Sequence, residues 1–288
     1  MSTRSIYKVV NGRSINVGSI KVQELLPTEG NFHNPFLVLH HGIAIADKHI
    51  DLKLQGVGPH PHRGFSAISF IYKGGIHHQD SRGNNHTVYA GGTQWTSAGM
   101  GIIHSERVPA DIHELGGVQE LLQVWVNTPA AHKLDQPAYY PAKKEDTPTI
   151  ISTDGLTTIR IPAGELNGVK GIIPTFTAVN TFMGEMKIKG SFNFALPKSH
   201  NSLFYLLEGE VLINGTEQIS AKQLALFKND GESFTVEATS NSLFFIGSGE
   251  PIHEPIASHG PFVMNTQTEI MQAFSDYQKG KMGILIEA

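Results

Sequence analysis

Short apolar runs, each closed by Gly, Asn, Asp or Pro, recur along this chain at a length too short for helices. FLVLHHG, FSAISFIYKGG, IIHSERVP, LLQVWVNTP, TTIRIPAG, SLFYLLEGEVLING and NSLFFIGSG follow one another through the 288 residues. Runs of this kind between turn residues mark β-sandwiches and barrels, so an all-β chain is expected. AHKLDQPAYYPAKKEDTPT breaks the rhythm with polar residues and three prolines. The expected organisation is therefore a domain over 1–135, a linker over 136–150 and a second domain over 151–288. A hydrophobic content of 40% is enough to give both a core.

Two details refine this expectation. SFIYKGG (Ser69 to Gly75) and LFYLLEGE (Leu203 to Glu210) share an apolar strand, a charge and a turn glycine, which points to a duplicated barrel. Near the end, NTQTEIMQAFSDYQKGKMG carries a capping box with Thr266 as N-cap and Glu269 three residues on. Ile270, Met271 and Phe274 follow at helical spacing, with Gly280 as a stop. One amphipathic helix that covers a sheet is expected there.

The chemistry concentrates in the first half. His60 and His62 in PHPHRGF, and His104 and Glu106 in GIIHSE, form two ligand-x-ligand pairs. On a strand, residues two apart share a face, so each pair points one way, and neighbouring strands would bring three imidazoles and a carboxylate together. That set suits Fe, Mn, Ni, Cu or Zn and leaves a coordination position open. Counting on in twos gives Gly64, Ser66, Ile68, Phe70 and Tyr72, and around the second pair Ile102 and Val108, so the ligand face is expected to run into a largely apolar pocket. Fifteen histidines make chance pairs a competing reading, but two same-face pairs with Gly and Pro between them are harder to obtain that way. Aligning Gly74 with Gly209 sets Ala195 opposite His60 and Pro197 opposite His62. Only His200 lies nearby, so no metal is expected in the second half. His78, Gln79, Asp80, Gln123 and Trp125 are candidates for the pocket mouth, although His77 and His78 read equally well as exposed turn residues. Arg63 is expected to be a structural ion-pair partner.

Composition narrows the function classes. A net charge of -4 without a Lys/Arg-rich run gives no footprint for nucleic acid. The absence of cysteine excludes disulfides, thiolate ligands and a cysteine nucleophile. With no apolar stretch of membrane length and no signal-like N-terminus, a soluble, cytoplasmic protein is expected.

PHPHRGF, HHQDSRGN, GTQWTSAGMGIIHSE, LQVWVN and HGPFVMNT, in this order over about residues 30 to 280, resemble the pirin family, a branch of the cupins. The resemblance implies a bicupin: two antiparallel β-barrel (jelly-roll) domains, with the C-terminal α-helix added. It also implies one iron-type metal in the N-terminal barrel and none in the other. The family's ligands fall on His60, His62, His104 and Glu106. Ser66 stands where many pirins have Glu, His40 and His41 lie where an Asp is common, and Ala90 and Gly92 replace a Pro and an Asp before Gln94 and Trp95. These departures are expected to alter pocket polarity. Some pirins resemble quercetin 2,3-dioxygenases, which implies Fe(II), a small aromatic or enol substrate such as a flavonol, and O2. Glu106 would then serve alternately as ligand and catalytic base while the ring opens and carbon monoxide leaves. Other pirins act as non-enzymatic regulators, so a metal-dependent module that binds a protein partner is the alternative. A purely structural metal clip ranks last, because such sites are closed and rich in cysteine.

Overall fold

The computed structural model describes residues 2–18, 20–28 and 32–287. They form two compact units, each built on one seven-stranded and one four-stranded antiparallel sheet. In the unit that carries the candidate ligands, the larger sheet runs Ala138–Ala142, Thr93–Ser97, Phe65–Lys73, Gly117–Asn127, Phe36–Ala46, Ile20–Leu26 and Arg13–Val17. Its smaller sheet runs Gly56–His62, Ile102–Arg107, Gly75–Asp80 and Asn85–Tyr89. The second unit repeats this order. Ile6–Asn11, Gln223–Phe227, Asn201–Glu208, Ser242–Gly249, Val179–Met186, Thr157–Ala163 and Thr149–Ile151 form the large sheet. Ser191–Ala195, Ser233–Ala238, Glu210–Ile213 and Glu217–Ser220 form the small one. The duplication read from the two turn motifs is thus present strand for strand. Gly74 and Gly209 both take positive φ, 71° and 92°, at the same turn of each barrel.

The unit boundaries differ from the expected 1–135 and 151–288. One unit comprises Ser14–Pro27, Phe36–Lys144 and Ile252–Ala288, the other Met1–Arg13, Thr28–Pro35 and Glu145–Pro251. The chain ends are exchanged because Ile6–Asn11 pairs with Gln223–Phe227, while the C-terminal helix packs on the ligand-bearing unit. The 136–150 linker is corrected as well: Ala138–Ala142 is a strand paired with Thr93–Ser97. It is the outermost strand of its sheet, where the missing N–H of Pro141 is tolerated. Its prolines suggested a linker for the same reason that they suit an edge.

In the second unit, Phe182, Phe194, Phe204, Phe227, Phe234 and Phe244 fill the barrel, all buried. Burying each ring contributes roughly 1.5–3 kcal/mol, so this barrel interior is a packed core. His200 lies apart from that core, with Nδ1 at 3.0 Å from the Ser248 hydroxyl and its carbonyl accepting from buried Arg4.

The expected helix spans Gln267–Gln278, and both halves of the capping box are made by Thr266 and Glu269. It buries Ile270 and Ala273 against Phe262, Met264 and Met282. Met271, expected on the apolar stripe, faces solvent instead. Among the described residues, no helix is long and apolar enough to cross a membrane.

Candidate metal centre

The small sheet sets the site. Gly56–His62 is its edge strand, which tolerates Pro59 and Pro61, and it pairs with Ile102–Arg107 so that His104 faces His60. The register shifts between His104 and Glu106, a bulge of the kind that re-aims side chains beside functional sites. The result brings His60, His62 and His104 together, with one ligand atom from each within 4.8 Å of the others. Glu106 stands outside that cluster.

Each imidazole is anchored through Nδ1. His60 Nδ1 lies 2.7 Å from the Gly58 carbonyl and His62 Nδ1 3.3 Å from the Pro261 carbonyl, so both donate there and keep the Nε2 lone pair. His104 Nδ1 lies 3.4 Å from His78 Nδ1. Burial, then repulsion from His60, pushes His62 well below the ordinary imidazole value. For His104 the causes are burial, followed by repulsion from His60, His62 and His78. Both rings are therefore neutral near pH 7 and able to coordinate. His104 Nε2 is buried and has no hydrogen-bond partner. An orphaned buried polar atom costs about 1–3 kcal/mol unless something binds it, and a divalent cation is the partner that a neutral imidazole nitrogen takes. The donors thus fit a mononuclear metal.

Glu106 is gripped by three donors. The Ser69 hydroxyl and Gln94 Nε2 donate to Oε1 at 2.7 and 2.5 Å, and Gln123 Nε2 donates to Oε2 at 2.8 Å. Gln94 is aimed in turn by Tyr139, whose hydroxyl donates to Gln94 Oε1 at 3.2 Å. Burial, then the charges of Glu106 and Asp80, raise the Tyr139 phenol far above its usual range, so it remains a donor. The Tyr139 ring stacks on His78, with centroids 4.0 Å apart and planes 7° from parallel. His78 is fully buried, with Nε2 at 3.0 Å from Asp80 Oδ2. Burial opposes ionisation of Asp80. Hydrogen bonds from His78, the Asn84 side chain and the backbone N–H groups of Arg82 and Asn84 outweigh it and hold the carboxyl below its usual value.

The pocket face differs from the expected count in twos. Gly64, at φ 84°, breaks the strand, and a Cβ there would lie 2.1 Å from the Val263 carbonyl oxygen. Phe65–Lys73 therefore restarts with its odd residues toward the site: Phe65 meets His62 at 5.1 Å between centroids, and Ser69 reaches Glu106. Ser66 is turned away onto the Ser97 hydroxyl and does not line the pocket. His41 is likewise turned away, paired with buried Glu120 at 3.0 Å, whereas His40 faces a small cavity beside Gln123. That cavity, about 50 Å³, is mostly apolar and is lined by Ile20, Val22, Leu121 and their neighbours. Trp125 packs on His62 at 5.3 Å. His77 is separated from its neighbour's role: it pairs with Asn85 on the opposite face. Arg63 makes the expected ion pair, 3.0 Å to Asp276, which ties the helix to the ligand strand.

Two family models match the chain, Pirin over residues 19–126 and the Pirin C-terminal cupin domain over 182–283. A pirin-like protein of Solanum lycopersicum is 34% identical over 97% of this chain and 93% of its own length. The chain belongs to the pirin family. Among solved structures, quercetin 2,3-dioxygenase from Acinetobacter baumannii matches this pirin with a TM-score of 0.92 at 32% identity, covering 99% of this chain and 100% of that one. A bacterial pirin from Escherichia coli in complex with nickel(II) shares the fold at 19% identity, with a TM-score of 0.65 over 85% of this chain and 99% of its own. The bicupin architecture expected from the resemblance is thereby shown. Tyr139, Gln94 and the pairing of His78 with Asp80 were not singled out as a unit by the sequence. Only the aromatic pair Tyr139 and Tyr140 within an otherwise polar segment hinted that this stretch packs.

Proposed function

We propose that this pirin is a mononuclear metal dioxygenase that cleaves flavonol-like or related enol substrates with O2. Its ion, iron(II) in the cytoplasm, would be held by His60, His62 and His104, with Glu106 serving in turn as fourth ligand and catalytic base. The observation that supports this most is the cluster of three anchored imidazoles, with Glu106 two residues along the strand from His104 and retaining one acceptor site. A carboxylate offers about four lone-pair sites. Ser69, Gln94 and Gln123 use three of them, and the remaining one is on Glu106 Oε2.

When bound, a divalent metal supplies Lewis acidity toward an enol oxygen and lowers its pKa. Glu106 Oε2 accepts the enol proton, while Ser69, Gln94 and Gln123 keep the carboxylate aimed. Phe65 and Trp125 pack on His62 and exclude water from that side, and the part-exposed Trp125 offers apolar surface to an aromatic ring. His60 is the most exposed of the three histidines, so substrate approaches from its side. The likeness to the Acinetobacter baumannii enzyme supports a flavonol as the first substrate to try.

Elemental analysis combined with an oxygen electrode on Fe(II)-loaded protein tests this reading. O2 uptake with a flavonol is expected, and Glu106→Gln should reduce its rate by about 10²–10⁴-fold. No uptake across flavonols and enediols would overturn it. Bound iron without turnover would favour the second reading, a metal-dependent regulator of a protein partner.

A further inference from the structure

The four-stranded sheet presents a second pair of polar side chains behind the three histidines. His78 and Asp80 lie on Gly75–Asp80, the strand on the other side of Ile102–Arg107, with Asp80 opposite His104 and His78 opposite Glu106. Both side chains are fully buried. Such a pair in a barrel interior is costly unless each polar atom is used, and here each is. Asp80 Oδ1 accepts from the backbone N–H groups of Arg82 and Asn84 at 2.9 and 3.0 Å. Oδ2 accepts from Asn84 Nδ2 at 2.8 Å and from His78 Nε2 at 3.0 Å.

This pattern dictates where the protons sit. A carboxylate only accepts, so His78 Nε2 carries a proton, and a ring that holds that single proton presents a lone pair at Nδ1. His104 Nδ1 lies within hydrogen-bond reach of that atom, at 3.4 Å. His104 must donate across this contact, which leaves Nε2, the atom with no hydrogen-bond partner, as its lone pair. Tyr139, stacked on His78, fixes the plane of the relay ring. His60 and His62 donate to backbone carbonyls, whereas His104 donates to a side chain oriented by a carboxylate.

We propose that Asp80 and His78 are positioning residues that hold His104 in its Nδ1–H tautomer and so set its strength as a metal donor. The inference rests on the metal reading above but not on the oxygenase chemistry. A partner that takes the far N–H of a coordinating imidazole fixes its ring and raises its basicity, and losing such a partner typically costs about 10–100-fold in metal affinity.

Asp80→Asn is nearly isosteric and cannot satisfy all four donors. If its carbonyl keeps the two backbone N–H groups, its NH2 faces His78 Nε2. His78 must then turn acceptor there and donor at Nδ1, and His104 is driven to the Nε2–H tautomer. His78→Leu removes the acceptor, whereas His78→Asn keeps an oxygen near the Nδ1 position. The test is zinc affinity by chelator competition on the full chain, together with long-range 15N–1H spectra of the histidine rings without metal. The expected results are Nδ1–H on His104 in the parent, affinity about 10–100-fold weaker for Asp80→Asn and His78→Leu, and recovery to within about 3-fold for His78→Asn. Nε2–H on His104 in the parent overturns the proposal without any variant having to fold. Unchanged zinc affinity in Asp80→Asn and His78→Leu overturns it as well. A parent that binds no zinc removes the metal reading itself, which sets that failure apart.

Discussion

Tyr139→Phe removes a single oxygen from the segment that the prolines suggested was a linker, and the surrounding geometry fixes the cost. The ring and its stack on His78 remain, so no cavity of ring size is made. The loss is the donor to Gln94 Oε1, in a side chain that is 1% exposed. A buried carbonyl oxygen left without a donor costs about 1–3 kcal/mol. Part of that can be recovered if the Gln94 amide flips, but the flip would turn its oxygen toward Glu106 Oε1, where Nε2 now donates. The expected loss is therefore about 1–3 kcal/mol, or roughly 2–5 °C in Tm for a protein of this size. Under the proposed dioxygenase reading, O2 uptake should fall with it, because the donor to the carboxylate is less well aimed. Calorimetry and urea unfolding measure the first effect and the oxygen electrode the second. Tyr140→Phe, on the opposite face of the same strand, is the control and should stay within about 0.5 kcal/mol. A Tyr139→Phe protein as stable as that control would refute the assignment of the hydroxyl. The phenol also predicts a pH effect. Its folded pKa lies above the unfolded value of 10.0, so its contribution is fully present below pH 10 and is lost as pH rises further; Tyr139→Phe should lack that part of the alkaline decline.

Two more residues carry measurable consequences. Gly64→Ala combines a φ of 84° with a Cβ 2.1 Å from the Val263 carbonyl oxygen, so it should destabilise by at least about 2 kcal/mol in urea and weaken metal binding through His62; a neutral effect would contradict the strand break. His33 is pulled down to about 4 by burial, only partly offset by its hydrogen bond to the Ser202 carbonyl. The unfolded chain therefore binds the extra proton between about pH 6.5 and 4, and the stability that His33 contributes above 6.5 is lost through that window, by up to about 1.4 kcal/mol per pH unit. Urea midpoints measured from pH 7 to 4 should fall less steeply for His33→Gln than for the parent.

The β rhythm, the turn motifs of the duplication, the capped helix and the shared face of His60 and His62 were legible because each depends on residues close in sequence. Alternation places His60 with His62 regardless of the rest of the fold, and a capping box needs only Thr266 and Glu269. The pocket wall departs from simple alternation because one glycine at positive φ resets it, turning Ser66 outward and Ser69 inward. The carboxylate clamp joins Ser69, Gln94, Gln123 and Tyr139 from four strands of one sheet to Glu106 on the other, and no local pattern announces such a meeting. The exchanged chain ends were hidden for the same reason: an edge strand is defined by its partner, and Ile6–Asn11 finds its partner more than two hundred residues away.

X-ray absorption on the zinc-loaded protein tests the central claim most directly. Three imidazole nitrogens at about 2.0–2.1 Å are predicted, with the remaining donors oxygen, and one imidazole fewer in His104→Ala. A loaded protein whose zinc sees fewer than three imidazoles, or whose spectrum is unchanged in His104→Ala, would contradict the account.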